Sequence, residues 1–171
     1  MEYDGQTAVF YGGSLGDRSH PTRWCAATSG YPGHFSPDDQ GFQLGPVPSG
    51  VYSINLTLDP SRVASANRDT GDLYSGHGIQ RIPDQTVRND GVTTTYPGWG
   101  TWRMRLDPRQ GDTYGRDNFY LHNSHKGFTH GCIETCDDFM RDILAYRGKG
   151  NPTIDVLVRY TAPKTRGRTK W

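Results

Sequence analysis

The sequence predicts a mainly β (α+β) fold with a single helix, arranged as a twisted β-sandwich or half-barrel. Glycine and proline account for 22 and 11 of the 171 residues, and aromatic side chains make up 12%. This composition favours many short strands joined by tight turns. Beyond residue 134 the spacing of apolar residues changes from alternating to helical, which places the one helix there.

Six segments have the alternation or the β-branched and aromatic content of strands. They span residues 6–11, 24–28, 51–58, 102–106, 118–121 and 153–160. Residues 31–39 and 107–117 are rich in turn-forming residues and are predicted to be connecting loops. Residues 61–97 are polar, and we interpret them as an insertion that lies over the functional site.

The predicted helix follows Thr135, whose hydroxyl can cap the first turn with Asp138 as its partner three residues on. Gly148 is expected to end the helix. Between these two positions, four apolar side chains share one helical face. They are Phe139, Met140, Ile143 and Leu144.

The length fits one domain, predicted over residues 1–162, followed by a basic, solvated tail at residues 163–171. A net charge of +1 gives no electrostatic reason to expect a nucleic-acid partner. No apolar run approaches the roughly 20 residues of a membrane span. Residues 1–5 have neither a basic nor an apolar stretch, so no Sec-type signal peptide is expected.

Three cysteines are an odd number and do not suggest a disulfide framework. We expect Cys25, Cys132 and Cys136 to be reduced thiols. An oxidising compartment would allow a second arrangement, in which Cys25 pairs with Cys136 and leaves Cys132 free.

The most informative segment surrounds Cys132. Gly131 precedes this cysteine, His130 lies two residues before it, and His122 lies ten residues before it. A thiol is a nucleophile as its thiolate, and a nearby imidazole is the usual means of forming one near neutral pH. The glycine lets a substrate approach the backbone closely. The amides of Gly131 and Cys132 are candidate donors to an oxyanion.

The order of the residues restricts the class of enzyme. All six histidines precede both Cys132 and Cys136, which excludes cysteine peptidases whose base follows the nucleophile. Cys25 has histidines after it but lies in no nucleophile motif. His122 ends a predicted strand and is the expected general base for Cys132.

Two motifs carry a family resemblance. The segment Thr-His-Gly-Cys-Ile-Glu at residues 129–134 resembles the (Ser/Thr)-His-Gly-Cys-(Ile/Val)-Arg signature of L,D-transpeptidase catalytic domains, and residues 119–122 resemble the strand that carries their catalytic histidine. Residues 44–54 resemble the proline- and glycine-containing turn and strand of the same domains. The short distance from His122 to Cys132 is similar to that in the branch of type VI secretion effectors. Two positions depart from the pattern, because Asn123 stands where glycine is usual and Glu134 where arginine is usual.

The resemblance implies a cofactor-free acyl transfer on peptidoglycan stem peptides. Cys132 would attack the carbonyl between the diamino acid at position three and the D-alanine at position four. His122 would act as base and then acid, while His130 would shape the site or bind substrate. Water as acceptor would give carboxypeptidase activity, and an amine would give cross-linking or D-amino-acid exchange. Asn123 and Glu134, which differ from the family pattern, bear on which acceptor is used and on the contacts to the stem peptide.

Four further polar side chains in or near these motifs are weaker candidates. Thr129 and Ser124 are predicted to donate hydrogen bonds near the dyad or to cap turns. His77, between two glycines, is a candidate for lining the cleft, although a plain turn is the simpler interpretation. His125 is expected to be exposed in its loop.

Two other functions remain open from the residues alone. His122, His125, His130 and Cys132 supply four potential zinc ligands, which would make the protein a zinc-dependent wall peptidase. A non-catalytic wall-binding module would keep the fold without the chemistry. If the resemblance holds, the protein would act in a rival's periplasm after export by a secretion apparatus, and the producer would carry an immunity protein as its partner.

Overall fold

The computed structural model describes residues 1–12 and 23–166, with side chains throughout except at residues 58–62. Of the described residues, 32% are in strands and 11% in helices, in a sandwich-like arrangement of mixed sheets. The predicted fold class is therefore confirmed. Within the described residues the strands are β1 (Glu2–Tyr3), β2 (Thr7–Phe10), β3 (Arg23–Ala26), β4 (Gly50–Asn55), β5 (Leu58–Val63), β6 (Ile79–Arg81), β7 (Gln85–Val87), β8 (Thr93–Thr95), β9 (Trp102–Arg105), β10 (Asp107–Gln110), β11 (Tyr120–His122), β12 (Ile133–Glu134) and β13 (Thr153–Val158).

The larger sheet has six strands in the order β10-β4-β13-β1-β2-β3. Its centre is the antiparallel pair of β4 and β13, which stays in register from Thr153 opposite Asn55 to Val158 opposite Gly50. The first strand, β1, lies parallel to β13. The first and last strands of the described chain are therefore neighbours in this sheet.

The second sheet has five strands in the order β12-β11-β9-β6-β5. Its edge brings the two sequence motifs of interest together, because β11 and β12 are parallel, with Leu121 opposite Ile133 and His122 opposite Glu134. The loop between them carries residues 123–132. The short strands β7 and β8 form a separate hairpin.

The core lies between the sheets and under the helix α1 (Asp137–Arg147). The helix buries Phe139, Met140 and Ile143 and packs Leu144 against the same cluster. This is the predicted apolar face, and the helix ends at Gly148 as predicted. Both sheets contribute fully buried side chains to the cluster, among them Ile54 and Leu121.

The cap of the helix differs from the prediction. Cys136 is the N-cap residue and makes no side-chain capping bond, whereas the Thr135 hydroxyl donates to the carbonyl oxygen of His122 at 3.3 Å. Thr135 is fully buried. The Thr135 hydroxyl therefore fixes the end of β11 and does not cap the helix.

Two regions predicted as loop or insertion belong to the sheets. β10 pairs with β4 at the edge of the larger sheet. β6 lies between β5 and β9 within the second sheet, so residues 61–63 and 79–81 of the predicted insertion belong to that sheet. Of the other residues between 61 and 97, residues 85–87 and 93–95 form the separate hairpin of β7 and β8, and the position of this region over the site stays a prediction. Alternation over three or four polar residues is too short a signal to be recognised from sequence.

The start of the basic C-terminal segment is docked onto the domain. Thr165 is fully buried, its backbone N–H donates to the Phe35 carbonyl at 2.8 Å, and Arg166 pairs with Thr28. The backbone is therefore docked at Thr165 and Arg166, whereas Pro163, Lys164 and Arg166 are exposed, as expected for a solvated segment. Residues 167–171 of the predicted tail lie outside the described part. Among the described residues, no helix combines the length and apolar character that crossing a bilayer requires.

Candidate active site

Cys132 and His122 line one cavity of about 220 Å³ at the edge of the second sheet. Cys132 directly precedes β12, and His122 ends the neighbouring parallel strand β11, so the sheet itself brings the two residues together. The other lining residues are Gly98, Trp99, Lys126, Thr129 and His130. The predicted nucleophile and base thus share a site.

His122 is buried and neutral. Its Nδ1 atom is buried without a hydrogen-bond partner among the described residues, and its ring lies edge-on to Trp99 with centroids 5.3 Å apart. Burial, together with the positive charges of Lys126 and Arg103, lowers the pKa of His122 to about 3. An uncharged imidazole with a free ring nitrogen is able to accept a proton.

Cys132 is also held in its neutral form. Burial raises the pKa of its thiol to about 11, although the Tyr120 backbone N–H and the charges of Lys126 and Arg103 favour the thiolate. The sulfur lies 4.0 Å from the carbonyl oxygen of Asn118. Among the contacts of the described residues, no direct hydrogen bond joins this thiol to the His122 ring. The site therefore holds a neutral thiol and a neutral imidazole in one cavity.

Lys126 supplies the positive charge of the cavity. It lies in the loop between β11 and β12, is half-buried, and places Nζ 5.0 Å from the centre of the Phe128 ring. Its ammonium lowers the pKa values of His122, His130 and Cys132. A partly desolvated ammonium facing a nucleophile is suited to bind an anionic group of a substrate.

Glu134 fixes the loop that carries Lys126. Its carboxylate is fully buried and accepts hydrogen bonds from the Ser124 hydroxyl, from the Lys126 N–H at 3.3 Å and from the Gly127 N–H at 2.8 Å. Its backbone exchanges two hydrogen bonds with Thr28, which joins the two sheets. The acidic residue at this position of the motif therefore has a structural role as a loop anchor.

Thr129 holds the turn that presents Cys132. Its hydroxyl donates to the carbonyl of Cys132 at 2.6 Å and accepts from the amides of Gly30 and Gly131, each at 3.2 Å. Both the threonine hydroxyl and the Gly131 N–H are thus already engaged. Thr129 nevertheless lines the cavity, so its contact with substrate stays a prediction. The engagement of the Gly131 N–H leaves the Cys132 amide as the candidate oxyanion donor.

Gly131 is required by its surroundings. Its φ of +101° favours glycine, and a Cβ atom there would lie 2.2 Å from Nη2 of Arg116. The buried Arg116 guanidinium donates to the carbonyls of Gln40, Gly45 and Pro46 at 2.7–2.9 Å. Arg116 therefore connects the proline-containing turn at residues 44–54 to the turn of the nucleophile.

Two other predicted site residues, Ser124 and His77, lie elsewhere, and so does His125. Ser124 is buried and bonded to Glu134, and it does not line the cavity. His77 has a side chain that is 77% exposed, and it faces Asp107 at 3.5 Å. Exposed as expected, His125 lies 3.4 Å from Asp137 and lines a different hollow. Ser124 and His77 are therefore not among the residues that line the Cys132 cavity.

His130 lines the cavity from its exposed rim. Its ring packs against Tyr31 with centroids 5.0 Å apart. Burial of part of the ring and the charge of Lys126 lower its pKa. With His125 in another hollow, the four potential zinc ligands are not assembled, and no group of three metal-ligating side chains occurs in the described part of the chain.

Sequence reasoning missed the walls of the cavity. Trp99 contacts His122 on one side, and the buried Arg103 guanidinium lies 5.0 Å from the Trp99 ring on another. Asn123 orients this wall by accepting hydrogen bonds from the amides of Thr101 and Trp102 at 3.0 and 2.9 Å. Lys126 was detectable as the lysine between the motif histidine and cysteine, whereas Trp99 carries no sequence signal.

Comparison of the chain with models of known protein families and with curated proteins finds no significant match. The chemistry of the site is therefore argued from its own residues. A neutral thiol, a neutral imidazole with a free nitrogen and an ammonium around one small cavity are the components of covalent acyl transfer to and from a cysteine.

Proposed function

We propose that the chain is a cysteine acyl-transfer enzyme acting on the tetrapeptide stems of peptidoglycan, as an L,D-carboxypeptidase, an L,D-transpeptidase or a D-amino-acid exchange enzyme. The observation that carries the proposal is the cavity shared by Cys132, His122 and Lys126. The likeness of residues 129–134 and 44–54 to L,D-transpeptidase motifs supplies the substrate class.

Cys132 and His122 are both neutral, and this determines how the thiol is activated. With a pKa of about 11 for Cys132, forming the free thiolate at pH 7 costs on the order of 5 kcal/mol. Attack is therefore coupled to proton transfer from Sγ to His122 as the sulfur bonds to the carbonyl carbon. The imidazolium then gives this proton to the departing amine, and the acyl group remains on Cys132 as a thioester.

The developing oxyanion needs donors that are already in place. The amide of Cys132 is the candidate, because the Gly131 amide is bonded to Thr129. Lys126 and His130 at the rim are suited to hold the carboxylate of the terminal D-alanine. Holding that group would fix the scissile carbonyl over Cys132.

The size of the cavity favours a small acceptor. At about 220 Å³ it is smaller than the roughly 300–1,000 Å³ of typical ligand sites, so it accommodates the scissile bond and one small residue. Water or a free D-amino acid fits this description better than a second stem. The proposed substrate also places the enzyme in the periplasm of a target cell, with a secretion apparatus and an immunity protein as partners.

The test is to incubate the protein with purified disaccharide-tetrapeptide and to follow the products by liquid chromatography and mass spectrometry. We expect loss of one alanine residue, or its replacement when D-methionine is added. Cys132→Ala should be inactive, and Cys136→Ala, a matched thiol outside the cavity, should be active. An unchanged substrate with the wild-type protein would contradict the proposal.

Two controls separate the other functions. Cleavage that survives Cys132→Ala but is lost with a metal chelator would favour the zinc peptidase. Co-sedimentation with sacculi whose muropeptides stay unchanged would favour the wall-binding module.

A further inference from the structure

We propose that Cys25 and Cys136 form an intramolecular disulfide by exchange with a disulfide-donating oxidant, at a modification site separate from the Cys132 cavity. The inference rests on the contact between the Cys136 backbone and the Cys25 sulfur and on the open hollow that both cysteines line. It does not depend on the proposed function.

The two cysteines touch across the interface between β3 and α1. The backbone N–H of Cys136, the N-cap residue of α1, donates to the sulfur of Cys25 at 3.1 Å. Next to them, Arg23 and Asp142 already join the same strand and helix by an ion pair of 2.6 Å. The strand and helix are therefore held together before any covalent bond forms.

A reagent can reach this pair. The two cysteines line an open hollow of about 400 Å³, together with Arg23, Trp24, Ala26, His125, Asp137 and Asp138. Cys136 is partly exposed and Cys25 lies beneath it. Cys132 lines a different cavity, so a reagent in the hollow meets Cys136 first.

The pKa values of Cys136 and Cys25 shift in opposite directions, which gives the two thiols different roles in the reaction. Hydrogen bonds from the Cys25 thiol and from the Phe139 backbone lower the pKa of Cys136 to about 7, against the opposing charge of Asp138. The same interaction and burial raise the pKa of Cys25. Cys136 is thus the attacking thiolate, and Cys25 keeps its proton until the second step.

The reaction is two thiol–disulfide exchanges. The Cys136 thiolate attacks one sulfur of the oxidant's disulfide, that S–S bond breaks, and the released thiolate takes up a proton. Cys25 then loses its proton and attacks the Cys136 sulfur of the mixed disulfide, releasing the second thiol of the oxidant. Cys25 and Cys136 are oxidised by two electrons, and the oxidant's disulfide is reduced to two thiols.

The disulfide would fix the start of α1, where Asp137 accepts a hydrogen bond of 2.7 Å from Asn123, the residue after His122. It would also close a loop spanning 111 residue positions. Cross-links that close long loops stabilise the folded state by restricting the unfolded chain. We therefore expect a higher Tm for the oxidised protein.

The test equilibrates the full chain in glutathione buffers of increasing oxidised fraction, followed by acid quenching, alkylation and peptide mapping. The expected result is a Cys25–Cys136 linkage, an alkylatable Cys132 and a Tm that rises with oxidation. Cys132→Ala should behave in the same way. Cys25→Ser should stop at a mixed disulfide between glutathione and Cys136.

Three results would overturn the proposal: three alkylatable thiols in fully oxidised buffer, a linkage that includes Cys132, or a Tm that does not respond to oxidation. Mapping of the wild-type chain is decisive even if a serine variant fails to fold. Because no wall substrate is used, the outcome is independent of the acyl-transfer proposal.

Discussion

Two thiols four positions apart, Cys132 and Cys136, have opposite environments. Burial raises the pKa of Cys132 to about 11, whereas hydrogen bonding from Cys25 lowers that of Cys136 to about 7. Cys136, the more ionised thiol at neutral pH, shares its hollow with His125, which faces Asp137 at 3.4 Å. Cys132 is protonated and shares its cavity with the neutral His122. The comparison teaches that a thiol can be reactive towards reagents in general without having a base beside it. Under the proposed function, the buried and protonated Cys132 is protected from oxidants until a substrate brings the carbonyl that makes proton transfer favourable.

The largest expected effect separates the two cysteines. Cys132→Ala should reduce turnover of tetrapeptide substrate to the background of the assay, because no other thiol lies in the cavity among the described residues. Cys136→Ala should retain turnover. Product analysis by mass spectrometry measures the activity of both variants. Equal activity of Cys132→Ala and Cys136→Ala would show that Cys132 is not the nucleophile.

The histidines provide the same comparison for the base. His122→Ala should lower kcat by about 10²–10⁴-fold, equivalent to about 3–5 kcal/mol, since it removes general acid–base help. His125→Ala is the control, because that side chain lines the other hollow. Steady-state kinetics of both variants test the assignment. Comparable losses would mean that the base is another residue.

Alkylation by iodoacetamide should distinguish the thiols without any substrate. The alkylation rate of Cys136 is expected to rise with pH with a midpoint of about 7. The alkylation rate of Cys132 is expected to rise with a midpoint of about 11. At pH 7 the thiolate fractions differ by about 10³–10⁴-fold, and the lower nucleophilicity of the less basic thiolate reduces the ratio of rates to about 10²-fold. Peptide mapping at timed intervals gives both rates. Faster modification of Cys132 at neutral pH would show that its thiolate is the stable form.

Substitution of Lys126 should have the smallest effect on catalysis, and this effect should be on KM. Lys126→Met is expected to raise KM about 10–100-fold, because a charge-assisted hydrogen bond to a carboxylate contributes about 1.5–3 kcal/mol. Lys126→Arg should recover part of the loss, and Lys164→Met, at an exposed position, should match the wild type. Kinetics with substrates that carry or lack the terminal carboxylate supply the decisive comparison. An unchanged KM in Lys126→Met would exclude it as the anion-binding group.

The sequence predicted the parts of this molecule that depend on local pattern. The six strands were found to within a few residues, and the apolar face of α1 and its end at Gly148 were predicted correctly. The order of histidines and cysteines led to His122 and Cys132, which the parallel pairing of β11 and β12 does bring to one cavity. In these cases a local alternation or a short loop carries enough information about burial.

What the sequence did not predict are the hydrogen-bond partners of polar groups. The Thr129 hydroxyl lies at the cavity as expected, but it also clamps the Cys132 turn to Gly30, 99 positions away. Glu134 appeared only as a departure from a motif, although its buried carboxylate orders the loop of Lys126. A hydroxyl or carboxylate in a sequence does not specify which amide it will meet, because that depends on the finished packing of the sheets.

Arg116 also has a consequence for the order in which the molecule folds. Its bonds to Gln40, Gly45 and Pro46 span 70 or more positions of the chain, and the same guanidinium packs against Gly131. Contacts of such long range form late, since much of the chain must be ordered before they are favourable. The turn of the nucleophile is then among the last parts to acquire its final shape. A partly folded chain would have its thiols but no assembled cavity, so the acyl-transfer activity proposed above would begin only when folding is complete.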